Sequence, residues 1–118
     1  AYFIETSSEV QNNLPVINNI GLIGLYSNSY LVPTSSLNLS VKINNINGSL
    51  KNGTILISHN NYAIGDKIYT TGLTNIPGDL LIGTVKKIIP SSNNLEDTIT
   101  VDFIKNNSHY IGILTSYA

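Results

Sequence analysis

Short apolar runs, each cut off by turn residues, recur along this chain, and no stretch of about twelve residues carries the 3.6-residue period of a helix. Leu37, Leu39, Val41 and Ile43 alternate with Asn38, Ser40, Lys42 and Asn44, the period-two pattern of a half-buried strand. Ile99, Val101 and Phe103 alternate in the same way with Thr98, Thr100 and Asp102. Further strands are expected over Val16-Ile17, Ile20 to Tyr26, Tyr30 to Val32, Thr54 to Ser58 and Tyr110 to Leu114, with Asn47-Gly48 and Asn52-Gly53 as turn dipeptides. The only helical candidates are a turn or two near Glu5 to Asn13 and around Ser91 to Glu96. Many short strands at intervals of roughly ten residues define an all-β fold, a small antiparallel barrel or sandwich, with room for two small packed lobes.

Composition agrees. Alanine, the best helix former, occurs only at Ala1, Ala63 and Ala118, while Ile, Val, Thr and Tyr fit a pleated surface. Hydrophobic residues make up 42% of the 118, enough for one domain to fold with no disulfide, and cysteine is absent. Charged residues are only 11%, against about 25% in an ordinary soluble domain. All six basic residues are lysine and the net charge is −1, which disfavours nucleic acid, whose phosphates call for clustered Arg and Lys. The adjacent Lys86 and Lys87 read as an exposed strand. No apolar run reaches the length of a membrane span.

Catalytic chemistry needs titratable groups that converge. His59 and His109 lie in polar, turn-like stretches and are expected in exposed loops. Glu96-Asp97, the one adjacent acidic pair, reads as a solvated turn. No serine occupies a nucleophile elbow, and neither a metal-ligand set nor a glycine-rich phosphate loop is present. The Asn-x-Ser/Thr sequons at Asn38, Asn47, Asn52 and Asn106 are expected by chance in so Asn- and Ser-rich a chain. The expectation is a domain that is not an enzyme and needs no cofactor or metal.

The most informative segment is Gly65 to Val85. Gly65-Asp66 is expected to turn the chain into a strand over Lys67 to Thr71, and Gly72-Leu73 to end it. A loop stiffened by Pro77 follows, with Gly78 free to take a positive φ. A strand restarts at Leu80 to Ile82, and Gly83 within it predicts a bulge or a close backbone crossing, as at a barrel corner.

The same segment resembles the C-terminal extracytoplasmic region of MreC, the bacterial rod-shape-determining protein family. The matching elements are Gly65-Asp66, Ile68-Tyr69, Thr70-Thr71-Gly72-Leu73, Ile76-Pro77 and Ile82-Gly83-Thr84-Val85. Weaker likeness extends from Leu14 to Leu114, through Leu14-Pro15-Val16-Ile17 and Gly21-Leu22-Ile23-Gly24 upstream and the closing strands downstream. There are departures. The family usually has glycine two residues after the proline, where this chain has Asp79 with Gly78 one earlier; Thr74-Asn75 replace a loop glycine, and Ser58 to Ala63 stand where the family is glycine-rich.

The resemblance implies a non-enzymatic scaffold of the cell-elongation machinery. Such a protein binds a class B penicillin-binding transpeptidase, works beside MreD and the MreB system, and self-associates. It also implies that residues 1–118 form the periplasmic β domain of a single-pass inner-membrane protein whose anchor and coiled coil lie outside these residues. One lobe of the family resembles a trypsin-like barrel in topology, which on its own carries no function. The alternative is an unrelated carbohydrate- or peptide-binding β module.

Contact surface is expected from tyrosines, which bury area at little entropic cost. Tyr69 has the opposite strand parity to Ile68 and is expected to face out; Tyr26 and Tyr30 flank a polar turn; Ile104 breaks the parity of Ile99, Val101 and Phe103. Gly65, Asp66, Gly72, Leu73, Pro77 and Gly83 are expected to be architectural.

Overall fold

A computed structural model describes residues 14–27, 30–73 and 76–105, and the backbone of 111–113. The strands are β1 (Leu14–Asn18), β2 (Leu22–Ser27), β3 (Tyr30–Pro33), β4 (Leu39–Ile43), β5 (Ile46–Lys51), β6 (Thr54–Ser58), β7 (Lys67–Thr70), β8 (Leu81–Pro90), β9 (Glu96–Phe103) and β10 (Ile111–Ile113). Six of them close a barrel in the order β4-β5-β6-β9-β8-β7, and the other four form an open antiparallel sheet, β10-β1-β2-β3. A 3-10 turn, Thr34–Ser36, leads from β3 of the sheet to β4 of the barrel. Among the described residues no helix is long and apolar enough to cross a membrane. The candidate helical turn at Glu5 to Asn13, and His109 and Tyr110, lie outside the described residues.

The alternating patterns become the barrel wall. Val41, Ile43, Leu50, Ile55, Ile68, Ile82, Val85 and Ile99 are at most 1% exposed and fill one core. Leu22 of β2 enters the same core, so the open sheet is packed on the barrel. Val16, Ile23 and Tyr26 make a smaller cluster, with Leu14, Leu31 and Ile104 against it.

Two-residue turns link the first hairpins of the barrel. Asn52-Gly53 turns β5 into β6 with φ of 53° and 80°, as the dipeptide predicts. The turn between β4 and β5 is instead Asn44-Asn45, at φ 51° and 65°. Asn47-Gly48 thus lies inside β5, because pairing Ile43 with Ile46 keeps the apolar register inward. Gly48 packs there against β6; a Cβ would lie 3.0 Å from the side chains of Ile55 and Ile57. The Ser91 to Glu96 region is the β8–β9 hairpin connection rather than helix, closed by the Glu96 carbonyl accepting from the Ser91 amide at 2.9 Å.

Barrel closure depends on β8, whose ten residues pair with both β7 and β9. The register shifts between Ile68 and Tyr69 against β7, and between Val85 and Lys87 against β9. Such bulges bend a strand sharply enough to turn a barrel corner. The second also explains why Lys86 and Lys87 are both exposed, contrary to strict alternation. At Gly83 the backbones cross closely: a Cβ would stand 2.4 Å from the Asp102 carbonyl oxygen.

Candidate functional site

The Gly65 to Val85 segment builds one side of a surface groove. The Gly65 amide donates to the Val85 carbonyl at 2.8 Å and the Val85 amide to Asp66 at 2.9 Å, so the turn is stitched to β8 before β7 begins. Thr70, 1% exposed, organises the loop beyond. Its hydroxyl donates to the Pro77 carbonyl at 2.6 Å and accepts from the Leu80 amide at 3.0 Å. Gly72 takes φ 82°, and Leu73 after it is 72% exposed. Gly78 does not take the positive φ expected of it. Asp79 does, at φ 62°, while Gly78 is needed because a Cβ would lie 3.0 Å from the Thr71 carbonyl oxygen. The left-handed residue therefore falls two positions after Pro77, where the MreC pattern has glycine.

On the outer face Lys42 of β4 pairs directly with Tyr69 of β7, one step from the inward pair Ile43–Ile68. Tyr69 is half-buried and faces out, as its parity predicts. Lys42, Asn44, Asn45, Asp66, Lys67 and Tyr69 line a groove of about 450 Å³. Its polar wall is fixed. Asn44 Nδ2 donates to Asp66 Oδ2 at 3.0 Å and to the Asn61 carbonyl at 3.1 Å, and Asp66 Oδ2 also accepts from the Ala63 amide at 2.8 Å. Lys42 Nζ is paired with Asp79 Oδ1 at 2.6 Å.

The other expected contact residues are scattered. Tyr30, 63% exposed, begins β3 at the edge of the open sheet. Ile104 is half-buried against the small cluster. Tyr26 is only 7% exposed, within that cluster, so it offers no contact surface; its neighbour Leu25 packs on the barrel core, and strand alternation turns Tyr26 to the opposite face, into the small cluster.

Two features escaped the sequence reading. The first is a buried carboxylate. Asp97 is inside the barrel end with its side chain 1% exposed, not in a solvated turn. Its Oδ2 accepts from His59 Nδ1 at 2.9 Å and from the Tyr62 hydroxyl, while Oδ1 has no partner among the described residues. Burial alone would raise the Asp97 carboxyl, but the hydrogen bonds from Tyr62 and His59, with the charge of His59, outweigh it and hold it below its usual value. Burial first, then the bond to Asp97 and its charge, push the Tyr62 phenol well above its ordinary range. An ionised carboxylate only accepts, so His59 must donate from Nδ1. His59 remains 59% exposed, and the one hydrogen bond its ring makes among the described residues is this one. The arrangement clasps the β6–β7 connection to β9. Strand parity could have revealed it, since Asp97 is in phase with Ile99 and Val101.

The second is an apolar row on the barrel exterior. Leu56 of β6 is opposite Thr98 of β9, which is opposite Ile89 of β8. Leu56 and Ile89 are 53% and 44% exposed, and Leu95 in the adjoining hairpin connection is 69% exposed.

A closed antiparallel six-stranded barrel joined to an open sheet, with its recognisable motif spent on turns, defines an all-β barrel domain. The family model "Rod shape-determining protein MreC, barrel core" matches residues 6–113, and the chain belongs to this family. A solved structure entitled "MreC" superposes with a TM-score of 0.64 at 19% identity, covering 86% of this chain and 69% of the other. The crystal structure of MreC from Pseudomonas aeruginosa does so with a TM-score of 0.62 at 17% identity, covering 86% and 78%. No curated protein matches the sequence. The family is one of structural, rod-shape-determining proteins of bacteria.

Proposed function

We propose that this domain is a non-enzymatic scaffold that organises peptidoglycan synthesis during cell elongation. It does so by binding a class B penicillin-binding transpeptidase and by self-associating, in a system with MreD and MreB. In this reading it is the periplasmic part of a protein held in the inner membrane by a single span outside the described residues. The observation that carries the reading is the family match across the whole barrel core.

Two surfaces suit protein contact. Among the described residues the open sheet ends in β3, which carries Tyr30 and an outer edge with no partner strand among those residues, suited to strand addition. The Leu56–Thr98–Ile89 row supplies exposed apolar area in a chain with few charges to mask it. Capture assays with the extracytoplasmic part of a class B transpeptidase test the reading. The full chain is expected to retain the transpeptidase, and Leu56→Ser with Ile89→Ser, or Tyr30→Ala, to weaken retention without loss of fold. Failure of the unaltered chain to retain it, with the barrel intact by circular dichroism, would overturn the reading.

A further inference from the structure

The Tyr69 groove lies on the β4–β7 face, whereas Leu56, Thr98 and Ile89 stand on β6, β9 and β8. Its chemistry also differs from an apolar contact patch. Lys42 is paired with Asp79, and the lining also carries Lys67 and Asp66, so the local formal charges sum to zero although Lys67 makes no ion pair among the described residues. An anionic ligand therefore gains little net attraction here, in a chain of net charge −1 without arginine. What remains is one aromatic ring beside a fixed set of planar polar groups. Asn44 is locked by Asp66 and the Asn61 carbonyl, so its orientation is set before any ligand arrives. Asn45 adds a second carboxamide from the same turn, and Lys67 has no ion-pair partner among the described residues. The groove's volume, about 450 Å³, falls in the range of small-ligand sites, roughly 300–1,000 Å³.

We infer that this groove binds an uncharged oligosaccharide, with the Tyr69 ring against a sugar face and Asn44, Asn45 and Lys67 bonding its hydroxyl and amide groups. A pyranose has one apolar C–H face and a rim of hydroxyls, so it needs a ring and, at its edge, oriented donors and acceptors. Asn44 still offers its Oδ1 as acceptor, Asn45 both donor and acceptor, and Lys67 three donors. The inference goes beyond the scaffold reading and concerns a separate face.

The probe is the neutral tetramer of N-acetylglucosamine, titrated into the isotope-labelled full chain and followed by backbone amide shifts. Shifts confined to residues 42–45 and 65–69 are expected. Tyr69→Ala should weaken binding at least about tenfold, as loss of the ring contact implies. Asn45→Gly, which keeps the positive-φ turn and removes the carboxamide, should weaken it about threefold. If Tyr69→Ala alters the fold by circular dichroism, Asn45→Gly and Lys67→Ala carry the test. No shifts at millimolar tetramer, shifts centred on another face, or unchanged binding in the folded variants would overturn the inference. A charged oligosaccharide binding the groove more tightly than the neutral tetramer would also overturn it. None of these outcomes bears on transpeptidase retention, and loss of retention leaves this inference intact.

Discussion

His59 Nδ1 and Asp97 Oδ2 stand 2.9 Å apart across a sequence separation of 38 residues, joining an exposed ring to a buried carboxylate. A buried charge is tolerable only when hydrogen-bonded, and both donors, His59 and Tyr62, come from the connection that leaves β6. Asp97→Asn keeps the shape, but it loses the charge on those bonds and puts a buried amide N–H where Oδ1 has no partner among the described residues. The cost is expected to be about 1–3 kcal/mol, from the value of hydrogen bonds to charged groups. His59→Gln, at a largely exposed position, should cost less than about 1 kcal/mol. Urea unfolding of the three proteins measures both.

The same carboxylate sets an acid limb. Its folded value lies below the unfolded one, so the folded state releases this proton more readily. The contribution is complete above the ordinary aspartate value, about pH 4, and is lost as pH falls further. Stability measured from pH 6 to pH 2.5 should drop more steeply below pH 4 in the unaltered chain than in Asp97→Asn. Parallel curves would show that Asp97 is not the linked group.

Gly21 and Gly65 should respond differently to the same added methyl. At Gly21 a Cβ would come within 2.1 Å of the Leu81 carbonyl oxygen, a backbone contact between open sheet and barrel that no rotamer relieves. Gly21→Ala is expected to cost about 2–4 kcal/mol through forced separation of the two layers. At Gly65 a Cβ meets nothing within 4 Å among the described residues, and the positive φ of 95° is what resists it. Gly65→Ala should cost about 1 kcal/mol. Thermal unfolding of both variants orders the two effects.

Asp79 occupies a left-handed position with its carboxylate on Lys42. Asp79→Gly removes the backbone strain along with an exposed ion pair, and the two changes should cancel to within about 0.5 kcal/mol. Asp79→Ala removes the ion pair and deepens the strain, for a loss of about 1 kcal/mol. Equal stability of the two variants by urea unfolding would show that the backbone conformation is not what selects the residue.

Much of this architecture could be read from the chain because a barrel core needs period-two patterning, and Leu39 to Ile43 and Ile99 to Val101 carry it without interruption. The parity of Ile68 and Tyr69, the Asn52-Gly53 turn and the close crossing at Gly83 follow from equally local chemistry. The failures have a common source. Asn47-Gly48 has turn chemistry, but cross-strand register outranked it and moved the turn to Asn44-Asn45. Glu96-Asp97 has the look of solvated turn residues, yet the period that buries Ile99 and Val101 carries Asp97 inward to partners far off in sequence. Tyr26 flanks a polar turn but turns into the small cluster. The groove combines β4, β7 and two turns, a juxtaposition that only barrel closure creates.

The barrel and the open sheet differ in one respect that bears on assembly. Closure pairs every barrel strand on both sides, so growth by strand pairing is confined to the sheet, whose outer strands among the described residues are β3 and β10. These edges are unlike each other. A β3–β3 junction is two-fold and complete at two copies, whereas a β3–β10 junction presents a fresh β3 after each addition and runs on beyond two, as a fibre or a closed ring. The stoichiometry at which self-association stops therefore reports which edge has met which.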